Sequence, residues 1–289
     1  MNPHLRAHLS ARLPTLFVPH GAPTFALRPG AAGAAMVIAA STLPTPRAII
    51  IISPHWDTAE PTVGTALRPE TIHDFSGFPP ELYQLQYPAT GCPEAAREVS
   101  AAIAAAGLPV HTSAQQGLDH GAWIPLRVMF PDADVPVIPL SLQSRTGTAG
   151  AYALGQALAP LVAQVFLIIA SGNITHNLHD YQVARQNEGQ TPAYVLAFSG
   201  WLAERLAAHD VSALLDYRRQ APGGAQAHPS DEHLLPLYVA LGAAGDKAMV
   251  QHLHAGIDDY VFAMDAYAFS PPLVSDYLSR VRCDLKAIL

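Results

Sequence analysis

The sequence predicts an α/β protein: a single three-layer α/β/α domain spanning residues 1–289, built around a mixed, mostly parallel sheet. Three observations carry this. Short, wholly apolar runs rich in β-branched residues recur along the chain, bounded by Pro and Gly, and read as strands buried on both faces. Alanine-rich segments of helical length lie between them, so the strands alternate with helices. The 26 prolines are spread out and no polar, low-complexity linker or internal repeat divides the chain.

The strand expectations fall at 14–19, 48–53, 134–141 and 164–171. The second, in RAIIIISPHWD, holds four consecutive isoleucines. Helices are expected over 93–106, which starts on Pro93 and stops at Gly107, over 149–163, and over 192–208, where Trp201, Leu202 and Leu206 share a face. Residues 68–92 break the pattern. His73, Phe75, Phe78, Pro79, Tyr83 and Tyr87 stand there among turn residues, as in a binding loop or a packed surface loop.

The formal charge of −7, with only 16 Lys and Arg and no basic run, argues against nucleic acid or an anionic membrane surface as partner. No apolar run reaches the ~18 to 20 residues of a membrane span. Two cysteines, Cys92 and Cys283, make no disulfide framework, and no N-terminal stretch reads as a secretion signal. The expectation is a cytoplasmic protein acting on a small molecule.

Against so few charges, 14 histidines stand out. Three of the apolar strands each deliver one histidine just past the strand: His20, His55 and His176. Ligands of open α/β sheets bind beyond the carboxyl ends of the strands, so these three share a structural address. A fourth, His233, falls in AHPSDEHLLPL, where Ser230 is read as an N-cap and His233 as part of a first helical turn. Successive helix residues diverge by about 100°, so of Glu232 and His233 only one should face such a site. A fifth, His120, lies in GLDHGAWIPL, where Gly117 and Gly121 permit close backbone approach and Trp123 offers an aromatic wall; a loop histidine bonded to Asp119 or to a carbonyl is the plainer reading. Imidazole or imidazole plus carboxylate ligation suits zinc and iron, leaving both hydrolysis and oxygen chemistry open. No HExxH, P-loop, GxSxG or GxGxxG motif is present.

VPHGAP around His20, SPHW around His55, LDHGAWIPL around His120, SGNITHNL around His176 and AHPSDEHLLPL around His233 together resemble the class III extradiol ring-cleavage dioxygenases of the LigB-like superfamily, and most closely the 4,5-DOPA extradiol dioxygenase family. The resemblance implies a mononuclear Fe(II) centre, with Zn(II) able to occupy it in isolated protein, O2 as co-substrate and a small catechol as substrate. It implies His20, His55 and His233 as metal ligands, with Glu232 as the alternative to His233. His176 is implied as the acid–base residue, near enough to ligate the metal before substrate binds. His120 is implied to hold or protonate the substrate, with Trp56 and Trp123 beside it, in a monomer or small homo-oligomer. HAGIDDYVFAMDAYAF matches the family only in part, with Tyr260 and Ala263 where small and hydroxyl residues are usual. The competing functions are a zinc hydrolase and a non-catalytic binding module on the same fold.

Overall fold

The computed structural model describes residues 13–186 and 189–271. His4, His8 and Cys283 lie outside them. The strands are β1 (Thr15–Pro19), β2 (Ala48–Asp57), β3 (Thr62–Gly64), β4 (His111–Ser113), β5 (Val137–Leu142), β6 (Phe166–Gly172), β7 (Met249–His254), β8 (Ile257–Asp258), β9 (Phe262–Ala263) and β10 (Ala266–Ser270). Eight form one sheet in the order β4-β3-β5-β2-β6-β1-β10-β7, and β8 and β9 form a separate hairpin. The central strands β5, β2, β6 and β1 run parallel. Antiparallel pairings join β3 to β5, β1 to β10 and β10 to β7.

All four expected strands form, each with ends shifted by a few residues. Their apolar runs are explained by burial: Ile49 to Ile52 and Phe166 to Ala170 are at most 1% exposed, as strands covered on both faces must be. One end differs in a way that matters. β2 continues through Ser53 and Pro54 to Asp57, with an irregular register after Ile52, so His55 lies inside the strand's last turn of pleat and not beyond it. The strands that the sequence reading lacked are short or at the edges; β7 alternates too little apolar surface to announce itself.

Helices α1 (Gly30–Ser41), α2 (Pro93–Ala105), α3 (His120–Met129), α4 (Gly147–Val162), α5 (Leu178–Gln186), α6 (Ala193–Ala207), α7 (Val211–Leu215), α8 (Tyr217–Gln220), α9 (Gly224–Ala227) and α10 (Leu235–Ala244) complete the described chain. The three expected helices are α2, α4 and α6. α2, α4 and α10 pack together on one face of the sheet, and α1 with α3 on the other. The apolar α10 is sandwiched between α4 and β6, which is why it is buried along nearly its whole length. No helix among the described residues is long and apolar enough to cross a membrane.

Residues 68–92 form an excursion with one short 3-10 turn at Pro80–Gln84. Two buried aromatic side chains help tie it down. The Trp123 indole donates to Ile72 O at 3.0 Å, and the buried Tyr87 hydroxyl donates to Phe130 O at 3.0 Å.

Candidate metal centre and active site

β2, β6 and β1 are parallel neighbours, so their carboxyl ends open onto one edge of the sheet. His20 is the first residue past β1, and Gly21, at φ 58°, turns the chain away immediately after it. His55 closes in from β2: its Nε2 lies 3.4 Å from Nε2 of His20. His233 joins them, with ring centroids 5.4 Å from His20 and 5.1 Å from His55. One nitrogen from each of the three falls within 4.8 Å of the others.

His233 reaches this edge because β6 ends in glycine. A Cβ on Gly172 would lie 2.3 Å from His233 O, and Asn173 N donates to that same carbonyl at 3.0 Å. The bare backbone lets the 231–234 segment sit directly against the sheet. That segment is a turn, not the first turn of a helix. Leu234 N and Leu235 N both donate to Asp231 O, and α10 begins only at Leu235. Pro236 gives the reason: in this register it occupies the start of the helix, where its missing N–H costs nothing. Ser230 is therefore no N-cap; its hydroxyl donates to Glu232 Oε1 at 3.0 Å. Nor must Glu232 and His233 diverge, since His233 Nδ1 lies 3.2 Å from Glu232 Oε1.

Each of the three imidazoles has a polar side chain near its outer nitrogen, at hydrogen-bond distance for His20 and His233. Nδ1 of His20 lies 2.8 Å from Ser171 Oγ, that of His233 faces Glu232, and that of His55 lies 3.6 Å from Asp74 Oδ2. A partner on the outer nitrogen orients the ring and aims the opposite nitrogen inward. Burial, reinforced by the neighbouring imidazoles, holds His20 and His233 well below the ordinary histidine pKa. Burial and His120 bring His55 down to about 4, although its side chain is 23% exposed. At neutral pH the inward nitrogens are thus lone-pair donors. Ligands about 2.1 Å from a common ion sit roughly 3.0 to 3.4 Å apart at 90° to 109°, close to the His20–His55 spacing. The donor set fits a divalent metal.

Comparison with known proteins agrees. Residues 33–265 match the family model described as the catalytic LigB subunit of aromatic ring-opening dioxygenase. This chain belongs to the LigB family. The matched range holds His55, His120, His176 and His233 and begins after His20, which the geometry adds to them. Among LigB-family relatives, the chain is 41% identical over 226 residues to the 4,5-DOPA dioxygenase extradiol of Beta vulgaris, covering 78% of this chain and 83% of that one. It is 35% identical over 240 residues to the protein of the same name from Escherichia coli K12, covering 81% and 86%. The crystal structure of an uncharacterized Escherichia coli K12 protein superposes with a TM-score of 0.73 at 27% identity, covering 89% of this chain and 99% of that one.

The remaining candidate residues of this LigB protein surround the trio. His176 stacks on His233, and its other neighbour is Phe262, 5.5 Å away. Burial, then the nearby His228, lowers its pKa to about 3. His120 stands 4.0 Å from His55 between ring centroids. It is the first residue of α3, which Asp119 caps by accepting from Ala122 N at 3.1 Å. Its partner is neither Asp119 nor a carbonyl: Nδ1 lies 3.0 Å from Asp74 Oδ2, and its backbone N–H donates to Asp74 Oδ1 at 2.8 Å. Burial pushes the Asp74 carboxyl up, but the bond and charge of His120 prevail and leave it at about 2. Phe75 closes over His120 at 5.7 Å.

The two tryptophans are not brought to the trio in the same way as the histidines. Trp123 is fully buried, and its indole acts on the Ile72 carbonyl two residues before Asp74. Trp56 is half-buried, one position after His55, where alternation turns side chains to the other side.

Four supporting residues escaped the sequence reading. Asp74 is a lone loop carboxylate with no motif around it, and Ser171 reads as the end of a strand. Ser53 donates to Asp119 Oδ1 at 2.5 Å, and burial raises that carboxyl to about 6. His228 is fully buried with Nε2 at 2.7 Å from Ile174 O, which steadies the loop that carries His176. None of the four carries a local signal; Asp119, which the sequence places beside His120, acts instead as the cap of α3.

Proposed function

We propose that the chain is an extradiol dioxygenase that inserts both atoms of O2 into a catechol such as DOPA, as a single catalytic domain, with Fe(II) held by His20, His55 and His233. The observation that carries this is the convergence of three neutral imidazoles on one point at the sheet edge, two of them with a polar side chain at hydrogen-bond distance from the outer nitrogen. All-histidine ligation leaves the centre without a protein anion, so an anionic catecholate is the natural partner to complete it. Fe(II) would supply adjoining binding positions for catecholate and O2 and the electrons that link them.

The chain's own groups handle protons and position. His176 is uncharged and buried beside His233, so it can accept a catechol hydroxyl proton and return it later in the turnover. His120, aimed by Asp74, presents its other nitrogen on the opposite flank, where it can hold a substrate oxygen. Phe75 and Phe262 flank these two histidines and suit an aromatic ring. Trp123 contributes through the loop it anchors. The names of the relatives support DOPA as the first substrate to try. A cytoplasmic setting and a monomer or small homo-oligomer belong to the same reading.

The test is anaerobic reconstitution with Fe(II), then addition of oxygen with DOPA, protocatechuate or gallate. Stoichiometric O2 uptake with a yellow ring-opened product is expected. Silence with iron across the panel, together with zinc-dependent and oxygen-independent hydrolysis, would move the assignment to the hydrolase.

A further inference from the structure

We infer that Ser53 and Asp119 are a positioning pair for the ring-cleavage reaction: their hydrogen bond ties the strand end that carries His55 to the helix start that carries His120, and so sets the metal ligand against the histidine that holds substrate. This rests on the function proposed above. The pair acts through the two histidines, and both of its members are buried.

The need for such a pair comes from β2. Ile49 to Ile52 are matched by β5 and Ala48 to Ile52 by β6, and neither neighbour gives a register partner from Ser53 to Trp56. A stretch that leaves its ladder must satisfy its backbone groups elsewhere. Pro54 has no N–H to satisfy. His55 has one, and it donates to Ser53 Oγ at 3.3 Å, the short-range bond by which a serine holds the backbone two residues on. His55 thus leaves the sheet on a side-chain bond in place of a ladder bond.

The same hydroxyl donates to Asp119 Oδ1 at 2.5 Å, and that oxygen also accepts from Ala122 N at 3.1 Å as the cap of α3. One carboxylate oxygen therefore joins the turn at His55 to the first turn of α3, whose first residue is His120. The rings of the two histidines stand 4.0 Å apart. Gly121 shows how closely the junction is packed: a Cβ there would fall 2.4 Å from Ser53 Oγ, 2.8 Å from His55 Cδ2 and 3.3 Å from Asp119 Oδ1. Asp74 has a different task. It approaches His120 from the excursion and faces both Nδ1 and the backbone N–H, so it orients that residue, while the Ser53–Asp119 bond fixes β2 against α3. Misplacement by about 1 Å at a reacting centre can cost about 10²-fold in rate, so a link that touches no reacting atom still governs turnover.

The experiment compares Ser53→Ala, Asp119→Ala, Asp119→Asn and the double variant Ser53→Ala, Asp119→Asn, with thermal melts to establish folding. Fe(II) affinity is read by chelator competition, the ligand field by the visible spectrum of the Co(II)-loaded protein, and kcat and KM by O2 uptake with a catechol panel. Ser53→Ala should still bind one equivalent of Fe(II), about 10-fold or more weakly, with an altered Co(II) spectrum and kcat lowered by about 10-fold or more. Asparagine can accept both bonds and remains a good cap, so Asp119→Asn should recover most of what Asp119→Ala loses. The double variant leaves no buried carboxylate without its partner, so it should fold and show the Ser53→Ala losses even where Ser53→Ala itself is too unstable to assay. Lower melting temperatures with wild-type Fe(II) affinity, Co(II) spectrum and kcat would make the pair merely structural and overturn the inference. O2 uptake by the wild type with no change in affinity or spectrum across the variants sinks the pair and leaves ring cleavage standing. The affinity and spectral pattern without O2 uptake for any catechol sinks ring cleavage and leaves the pair.

Discussion

The imidazole of His176 lies flat on that of His233, with ring centroids 3.5 Å apart and planes 6° apart. An imidazole lone pair lies in the plane of its ring, so an ion in the plane of His233 is displaced from the plane of His176 by about the ring spacing. The pair thus favours one ligand and one proton carrier over two ligands. His176→Ala should keep its iron and lose turnover by at least about 10²-fold. His233→Ala should lose the iron. Metal analysis beside oxygen uptake separates the two, and an iron-free His176→Ala protein would make His176 a ligand.

Glu232 is placed to act through His233. Its Oε1 faces Nδ1 of that ring at 3.2 Å, the arrangement in which a carboxylate orients a metal-binding histidine. Removing such a partner typically weakens metal affinity about 10- to 100-fold. Glu232→Gln should therefore bind Fe(II) more weakly by that factor in a chelator competition while still binding one equivalent. Were Glu232 itself the third ligand, Glu232→Ala would bind no iron and His233→Ala would bind it fully.

The central fold was legible because burial on both faces writes strands as uninterrupted apolar runs, and because three of those runs deliver histidines to one edge. The path of residues 231–234 was misread. Acidic residues after a serine look like a helix start, and the deciding fact is that Pro236 fits only if the helix begins at Leu235. Asp74 was illegible for another reason. It approaches His120 across 46 residues through a loop whose course depends on Trp123 and Tyr87, and no local pattern encodes such a contact.

Two glycines hold the site together by lacking side chains. A Cβ on Gly121 would stand 2.4 Å from Ser53 Oγ and 2.8 Å from His55 Cδ2; one on Gly172 would stand 2.3 Å from the His233 carbonyl. The first contact can be relieved by side-chain movement, the second only by moving backbone. Gly172→Ala should cost about 1 to 3 kcal/mol of stability and displace His233, lowering metal affinity as well. Gly121→Ala should act mainly on activity through His55. Gly200, in α6 with nothing within 4 Å, is the control: Gly200→Ala should raise stability by about 0.5 to 1 kcal/mol. Thermal melts of the three variants with and without iron check the order, and equal melts for Gly172→Ala and Gly200→Ala would contradict the close approach.

Acid should unfold the metal-free protein through its buried histidines. Burial lowers His176 to about 3 and His55 and His228 to about 4, and it holds His20 and His233 well below 6.5. In the unfolded chain these rings titrate near 6.5. Between that value and the depressed native values the unfolded state binds more protons, so stability rises with pH up to about 6.5 and is lost as pH falls below it. Each fully depressed histidine contributes up to about 1.4 kcal/mol per pH unit in that window. The melting temperature of the metal-free protein should hold from pH 8 to about 7 and fall steeply from about 6 to 4. His228→Gln tests the assignment at a residue outside the ligand trio. Glutamine can still donate to Ile174 O, so this variant should show a shallower acid slope, and an unchanged slope would mean that His228 titrates normally.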